Sequence, residues 1–101
     1  MPRPGTMLYL VTYDMPSSPA GDRRRARLAR YLEGLGLRVQ MSVFELELPP
    51  LRLPVVCAEI ENRIDSAEDS VRIYPLCGTC SAKVARLGSQ APVEHAALII
   101  W

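Results

Sequence analysis

The chain has 101 residues, 49% of them apolar, with twelve Lys or Arg against eleven Asp or Glu and a formal net charge of +1. That length holds one domain with one modest core. The apolar fraction excludes a disordered chain, the apolar runs are far shorter than a membrane span, and three cysteines, an odd number, do not make a disulfide framework. The opening "MPRPGT" has no hydrophobic stretch of signal-peptide type, so the expectation is a soluble, cytoplasmic protein with no membrane partner.

"MLYLVTYD", residues 7–14, is rich in β-formers and apolar on both alternating sets, which predicts a central strand covered on both faces. Turn-forming "MPSSPAGD" follows, with Asp22 as the expected N-cap of a helix. In "RRRARLARYLEGLG" the residues Leu28, Leu32 and Leu35 form one apolar stripe with Ala29 beside them, and Gly34 and Gly36 mark the end. Residues 22–40 hold six arginines (23, 24, 25, 27, 30 and 38) against Asp22 and Glu33. Arginine presents a planar fork of donors suited to phosphate oxygens. A solvated helix face, or the arginine bias of a GC-rich genome, is the plainer explanation.

"RVQMSVFELEL", residues 38–48, contains no turn residue, yet its alternation changes parity: Val39, Met41 and Val43 are odd, Phe44, Leu46 and Leu48 even. A strand cannot change its buried face without a bulge or a turn. The break is expected at 41–43, where small, polar Ser42 suits it. Three prolines, Pro49, Pro50 and Pro54, punctuate the start of a second helix, whose stripe is Leu53, Val56, Ile60 and Ile64 with Cys57 adjacent. After the polar loop "DSAED", "SVRIYPL" reads as a further strand.

The order β-α-β-β-α-β predicts an α+β, ferredoxin-like sandwich with two helices on one face of a four-stranded antiparallel sheet. The expected division is a disordered tail over 1–6, the ferredoxin-like domain over 7–77, and a C-terminal dimerisation extension over 78–101. The extension ends in "AALIIW", an extra strand without a place in the four-stranded fold. A free apolar strand is an aggregation hazard. Pairing with another protomer's sheet edge would remove the hazard, which together with the open sheet face argues for a homodimer; the alternative is that the strand adds to its own sheet.

Asp14 is the sharpest candidate for chemistry, because a carboxylate at the end of a central strand sits on the sheet rim; the plainer role is to cap the following turn. Magnesium wants octahedral oxygen ligands and is commonly held by one or two carboxylates with water and phosphate. A two-fold dimer could bring two copies of Asp14 together. Cys77 and Cys80 form a C-x-x-C, but a zinc site needs four ligands and only Cys57 and His95 remain, so ordinary cysteines are expected ahead of structural zinc and of a redox pair. There is no phosphate-binding glycine loop and no nucleophile motif around His95.

"YLVTYD", the Arg-rich "RRRARLARYLEGLGLRVQ", "SVFE" and "EDSVRIYPL" together resemble the small Cas2 family of CRISPR-associated proteins over about residues 7–76. The resemblance implies a ferredoxin-like homodimer whose C-terminal strands pack on the partner's sheet. It also implies a strand-final aspartate, here Asp14 with Tyr13 beside it as catalytic residues, binding Mg2+ or Mn2+ near the two-fold axis. The implied function is spacer acquisition in antiviral defence, with the dimer binding a duplex DNA prespacer and bridging dimers of the integrase Cas1. Some members are metal-dependent endonucleases on RNA or DNA; a stand-alone magnesium-dependent endoribonuclease or a ferredoxin-like ribonuclease toxin is the alternative. By motif position, Arg23, Arg24, Arg25, Arg27 and Arg38 are the implied nucleic-acid contacts, and Ser42 and Phe44 belong to the motif. The loop "DMPSSPAGDRRR" is longer than the short acidic loop of many members and lacks a second acid directly after Asp14.

Overall fold

A computed structural model describes residues 3–88; the expected terminal strand and His95 lie outside the described residues. Strand β1 (Met7–Asp14) is followed by helix α1 (Pro19–Glu33), strands β2 (Gly36–Gln40) and β3 (Val43–Leu48), helix α2 (Leu53–Glu61), strand β4 (Ser70–Leu76) and a short helix α3 (Gly78–Ala82). A single 3-10 turn, Pro50–Arg52, leads into α2. The sheet runs β2-β3-β1-β4 with every neighbouring pair antiparallel, the expected ferredoxin-like arrangement with β1 inside.

One face of the sheet carries the core. The odd residues of β1 (Tyr9, Val11 and Tyr13) join Phe44, Leu46 and Leu48 of β3, Leu28, Ala29 and Leu32 of α1, and Val56 and Ile60 of α2 in one buried cluster. Both predicted helical stripes therefore pack on the same side. Phe44, Leu28 and Val56 have no exposed surface, and each such side chain contributes about 1.5–3 kcal/mol by leaving water. Leu8 faces the other way. It is buried, and α3 packs against β1 and β4.

The start of α1 differs from expectation by a full turn. Ser18, not Asp22, is the N-cap: its backbone is extended and the Gly21 N–H donates to its Oγ at 3.0 Å. Pro19 takes the first helical position, where a missing N–H does no harm. Gly21 is required by close approach, since a Cβ there would collide with the Pro16 carbonyl oxygen. Asp22 instead lies in the first turn, paired with Arg25 at 2.7 Å, where a carboxylate favours the helix dipole.

The parity change in residues 38–48 is met by a turn and a bulge together. Met41 and Ser42 turn the chain between β2 and β3. The register runs Gly36↔Leu46, Leu37↔Glu45 and Arg38↔Phe44, then shifts to Gln40↔Val43, which leaves Val39 as the extra residue. The odd apolar set of this stretch is therefore no buried face; Met41 sits on the turn, 78% exposed.

Residues 3–6, expected as a tail, are bonded to β3. The Arg3 N–H and Nε donate to Glu47 Oε2 at 2.6 and 3.1 Å, and Thr6 Oγ1 at 2.9 Å. The segment after residue 77, expected as an extension, opens with α3, a helix that its sequence did not announce.

Candidate nucleic-acid and metal site

Alternation along β1 sets Tyr13 and Asp14 on opposite faces. Tyr13 points into the core: its ring stacks on Phe44 with centroids 6.2 Å apart, and its hydroxyl donates to the Met41 carbonyl at 3.3 Å. Burial pushes its pKa up, against the opposing pull of Arg38. Asp14 shares the far face with Leu10 and Thr12 and lies opposite Ser70. It is exposed, and its carboxylate has no hydrogen-bond or ion-pair partner among the described residues. The two residues that the resemblance implies as catalytic thus point to opposite faces of the sheet.

Among the described residues no three His, Cys, Asp or Glu side chains gather where they could hold a metal ion. The exposed Asp14 carboxylate is a hard oxygen donor of the kind Mg2+ or Mn2+ takes.

The arginines divide into two groups. Arg24 is drawn inward: its Nε and Nη2 donate to Asp69 Oδ2 and Oδ1 at 2.7 and 3.0 Å, and Asp69 has no exposed side-chain surface. The Arg24 bonds hold the Asp69 carboxyl below the usual range, more than offsetting burial. Arg25 straps the loop after Asp14, donating to the Met15 and Pro16 carbonyls at 2.9 and 3.1 Å and to Asp22. Arg38 closes the β2–β3 turn through two bonds to the Met41 carbonyl, reaches Glu33, and stacks 5.5 Å from the Phe44 ring centre. Ser42 accepts the Tyr13 N–H at 3.2 Å through its carbonyl oxygen, so the motif around Ser42 and Phe44 builds the hairpin and its core contact.

Arg23 and Arg27 are exposed and form no ion pair among the described residues. Arg30 continues the same face, since positions i, i+4 and i+7 align on a helix. Arg27 and Arg30 line a shallow cleft of about 260 Å³ with Tyr31 and Arg63. The Arg63 guanidinium lies 4.2 Å over the Tyr31 ring and is also bonded to Glu59. Burial raises the Tyr31 pKa, with the Glu59 charge adding to it. Arg30 and Arg63 were not among the expected contacts. The three-residue step from Arg27 to Arg30 was a signal for the first; Arg63 arrives from beyond α2, and no local spacing reveals it.

A βαββαβ sheet with both helices on one face defines a ferredoxin-like α+β domain, here with an arginine row on α1 and a strand-final carboxylate that has no partner among the described residues. The family model "CRISPR associated protein Cas2" matches residues 7–84. The chain belongs to the Cas2 family. A Rhodospirillum rubrum relative named a CRISPR-associated endoribonuclease is 40% identical, over 92% of this chain and 100% of its own. One from Halalkalibacterium halodurans, named a CRISPR-associated endonuclease, is 36% identical over 87% of this chain and 93% of its own. The crystal structure of Streptococcus pyogenes Cas2 superposes with a TM-score of 0.73 at 36% identity, covering 81% of this chain and 100% of that one. A Thermus thermophilus protein solved as a hypothetical protein gives 0.73 at 38% identity, covering 89% and 100%.

Proposed function

We propose that the chain is the homodimeric, nucleic-acid-binding subunit of spacer acquisition, gripping a duplex DNA prespacer and bridging dimers of the integrase Cas1. The observation that carries the binding role is the row Arg23, Arg27 and Arg30, exposed and without ion-pair partners among the described residues. Phosphate contacts of this kind are sequence-independent and release counterions. Changing Arg23, Arg27 and Arg30 together to Gln should weaken duplex binding and make the slope of log affinity against log salt shallower by about 0.9 per lost contact. Unchanged affinity and slope would place binding elsewhere. Arg24, Arg25 and Arg38 are poor choices for this test, because their removal breaks internal bonds.

A second reading, metal-dependent cleavage of RNA or DNA, is favoured by the free carboxylate of Asp14 and by the names of the relatives. Asp14 from each of two protomers would hold Mg2+ or Mn2+. When bound, the ion supplies Lewis acidity toward a phosphodiester oxygen. Tyr13, facing the core, supports the strand beneath Asp14 and has no part in the chemistry of this reading. Asp14→Ala should abolish metal-dependent cleavage while leaving the dimer and duplex binding intact. Equal cleavage by the variant would mean that the activity comes from another site or a contaminant.

A further inference from the structure

Cys77 and Cys80 lie outside everything assigned so far, and the geometry around them is specific. β4 ends at Leu76, held opposite Leu8 of β1, and Cys77 then takes the N-cap position of α3 with an extended backbone (φ −66°, ψ 169°). An N-cap side chain reaches over the first turn toward the N–H of the third helical residue. That residue is Cys80, whose N–H donates to Cys77 Sγ at 3.5 Å. The cap thus aims one sulfur at the residue that bears the other. Cα atoms three residues apart on a helical turn are about 5 Å from each other, inside the range of about 4.4–6.8 Å that a disulfide tolerates.

Both thiols are exposed, whereas Cys57 is half-buried in a groove between α2 and β4. Between the pair, Gly78 leaves open space where a side chain would stand. The turn beneath is anchored by Ser81, fully buried, whose Oγ donates to the Gly78 carbonyl at 3.1 Å. Zinc does not fit, since no third ligand joins the two sulfurs among the described residues.

We propose that Cys77 and Cys80 form a redox-active dithiol whose co-substrate is a small disulfide of the glutathione type, with Cys77 attacking and Cys80 resolving. The Cys77 thiolate attacks one sulfur of the small disulfide and breaks its S–S bond. One thiolate leaves and takes a proton from water. Cys80, giving its proton to solvent, then attacks Cys77 Sγ and expels the second thiol. The chain loses two electrons and two protons, and the small disulfide becomes two thiols. The roles follow the asymmetry of the pair. The Cys80 N–H and thiol stabilise the Cys77 thiolate and lower its pKa, while the hydrogen bond to Cys77 and its charge raise that of Cys80.

The test uses the reduced full-length chain, equilibrated in mixtures of reduced and oxidised glutathione, quenched by alkylation and read by mass spectrometry. Two of the three thiols should disappear together, a Cys77–Cys80 linked peptide should appear, and Cys57 should remain alkylatable. Cys80→Ser should stop at a single glutathione adduct on Cys77; Cys77→Ser should react much more slowly at Cys80. Circular dichroism checks that both variants keep the fold, as expected for exposed positions. Full alkylation of both cysteines at the oxidising end would overturn the proposal. So would intermolecular links alone, or equally fast adduct formation in the two variants.

Discussion

Asp69 shows how one residue can redirect the meaning of a motif. Its carboxylate has no exposed surface, yet it accepts both arms of the Arg24 fork and the Asp65 N–H at 2.8 Å. Three charge-assisted or backbone bonds to a closed-in carboxylate favour its ionised form. Its folded pKa lies below the ordinary value of 3.8. The sign follows: the stabilisation is complete above that ordinary value and is lost as pH falls through the lower, folded one. Glu47 behaves alike. Burial pushes its carboxyl up, but the bonds from Arg3 and Thr6 outweigh burial and hold it below 4.5. Asp69→Asn should therefore lower stability at neutral pH and flatten the acid limb of a melting-temperature profile below the ordinary value of 3.8. A variant whose acid limb matches the parent's would assign acid unfolding to other groups. The sequence displayed the run of arginines but not the partner of Arg24, because Asp69 stands 45 positions away.

Local structure was legible where a pattern is carried by neighbours and illegible where it depends on approach. The apolar stripes of α1 and α2 could be read directly, since Leu28, Leu32, Val56 and Ile60 repeat at helical spacing and all four are buried. The parity change at 38–48 located the hairpin, but it could not separate turn from bulge, since both shift parity and the chain uses both. The beginning of α1 was hidden by its glycine. "PAGD" reads as a turn, yet Gly21 is there because nothing larger fits against the Pro16 carbonyl, and Ser18 two residues after Pro16 makes the cap. Ser18→Ala should cost about 1 kcal/mol in chemical denaturation, the usual value of a lost N-cap. Ser17→Ala, beside it, forms no cap bond and should change stability by less than about 0.5 kcal/mol. Equal losses at the two positions would argue against the cap. α3 escaped notice because five residues are too few for a periodic signal.

At the scale of the whole molecule, the face of the sheet away from α1 and α2 is the surface on which the proposed dimer rests. Leu10 lies in its middle, directly opposite Glu45 of β3 on one side and Tyr74 of β4 on the other. Tyr74 is 40% exposed, large for a residue in the middle of a strand. On the same face, Glu45 Oε1 is shielded from solvent with no hydrogen-bond partner among the described residues. A buried acceptor left unpaired costs about 1–3 kcal/mol, which a donor from a second protomer would recover. The same face carries Asp14 at its rim, so covering it with a two-fold copy is also what would bring two carboxylates together. The arginine row sits on the helix layer and would stay accessible in such a dimer. Tyr74→Asp places a charge in the centre of that contact without touching the core, which lies on the other side of the sheet. In sedimentation equilibrium the parent should have the mass of a dimer and Tyr74→Asp that of a monomer, with unchanged far-ultraviolet circular dichroism. Asp14→Ala should remain dimeric, so loss of cleavage in that variant and loss of assembly in the other would be separable effects. If Tyr74→Asp kept the dimer mass, the protomers would have to meet through another surface, and a metal site shared between two copies of Asp14 would lose its geometric basis.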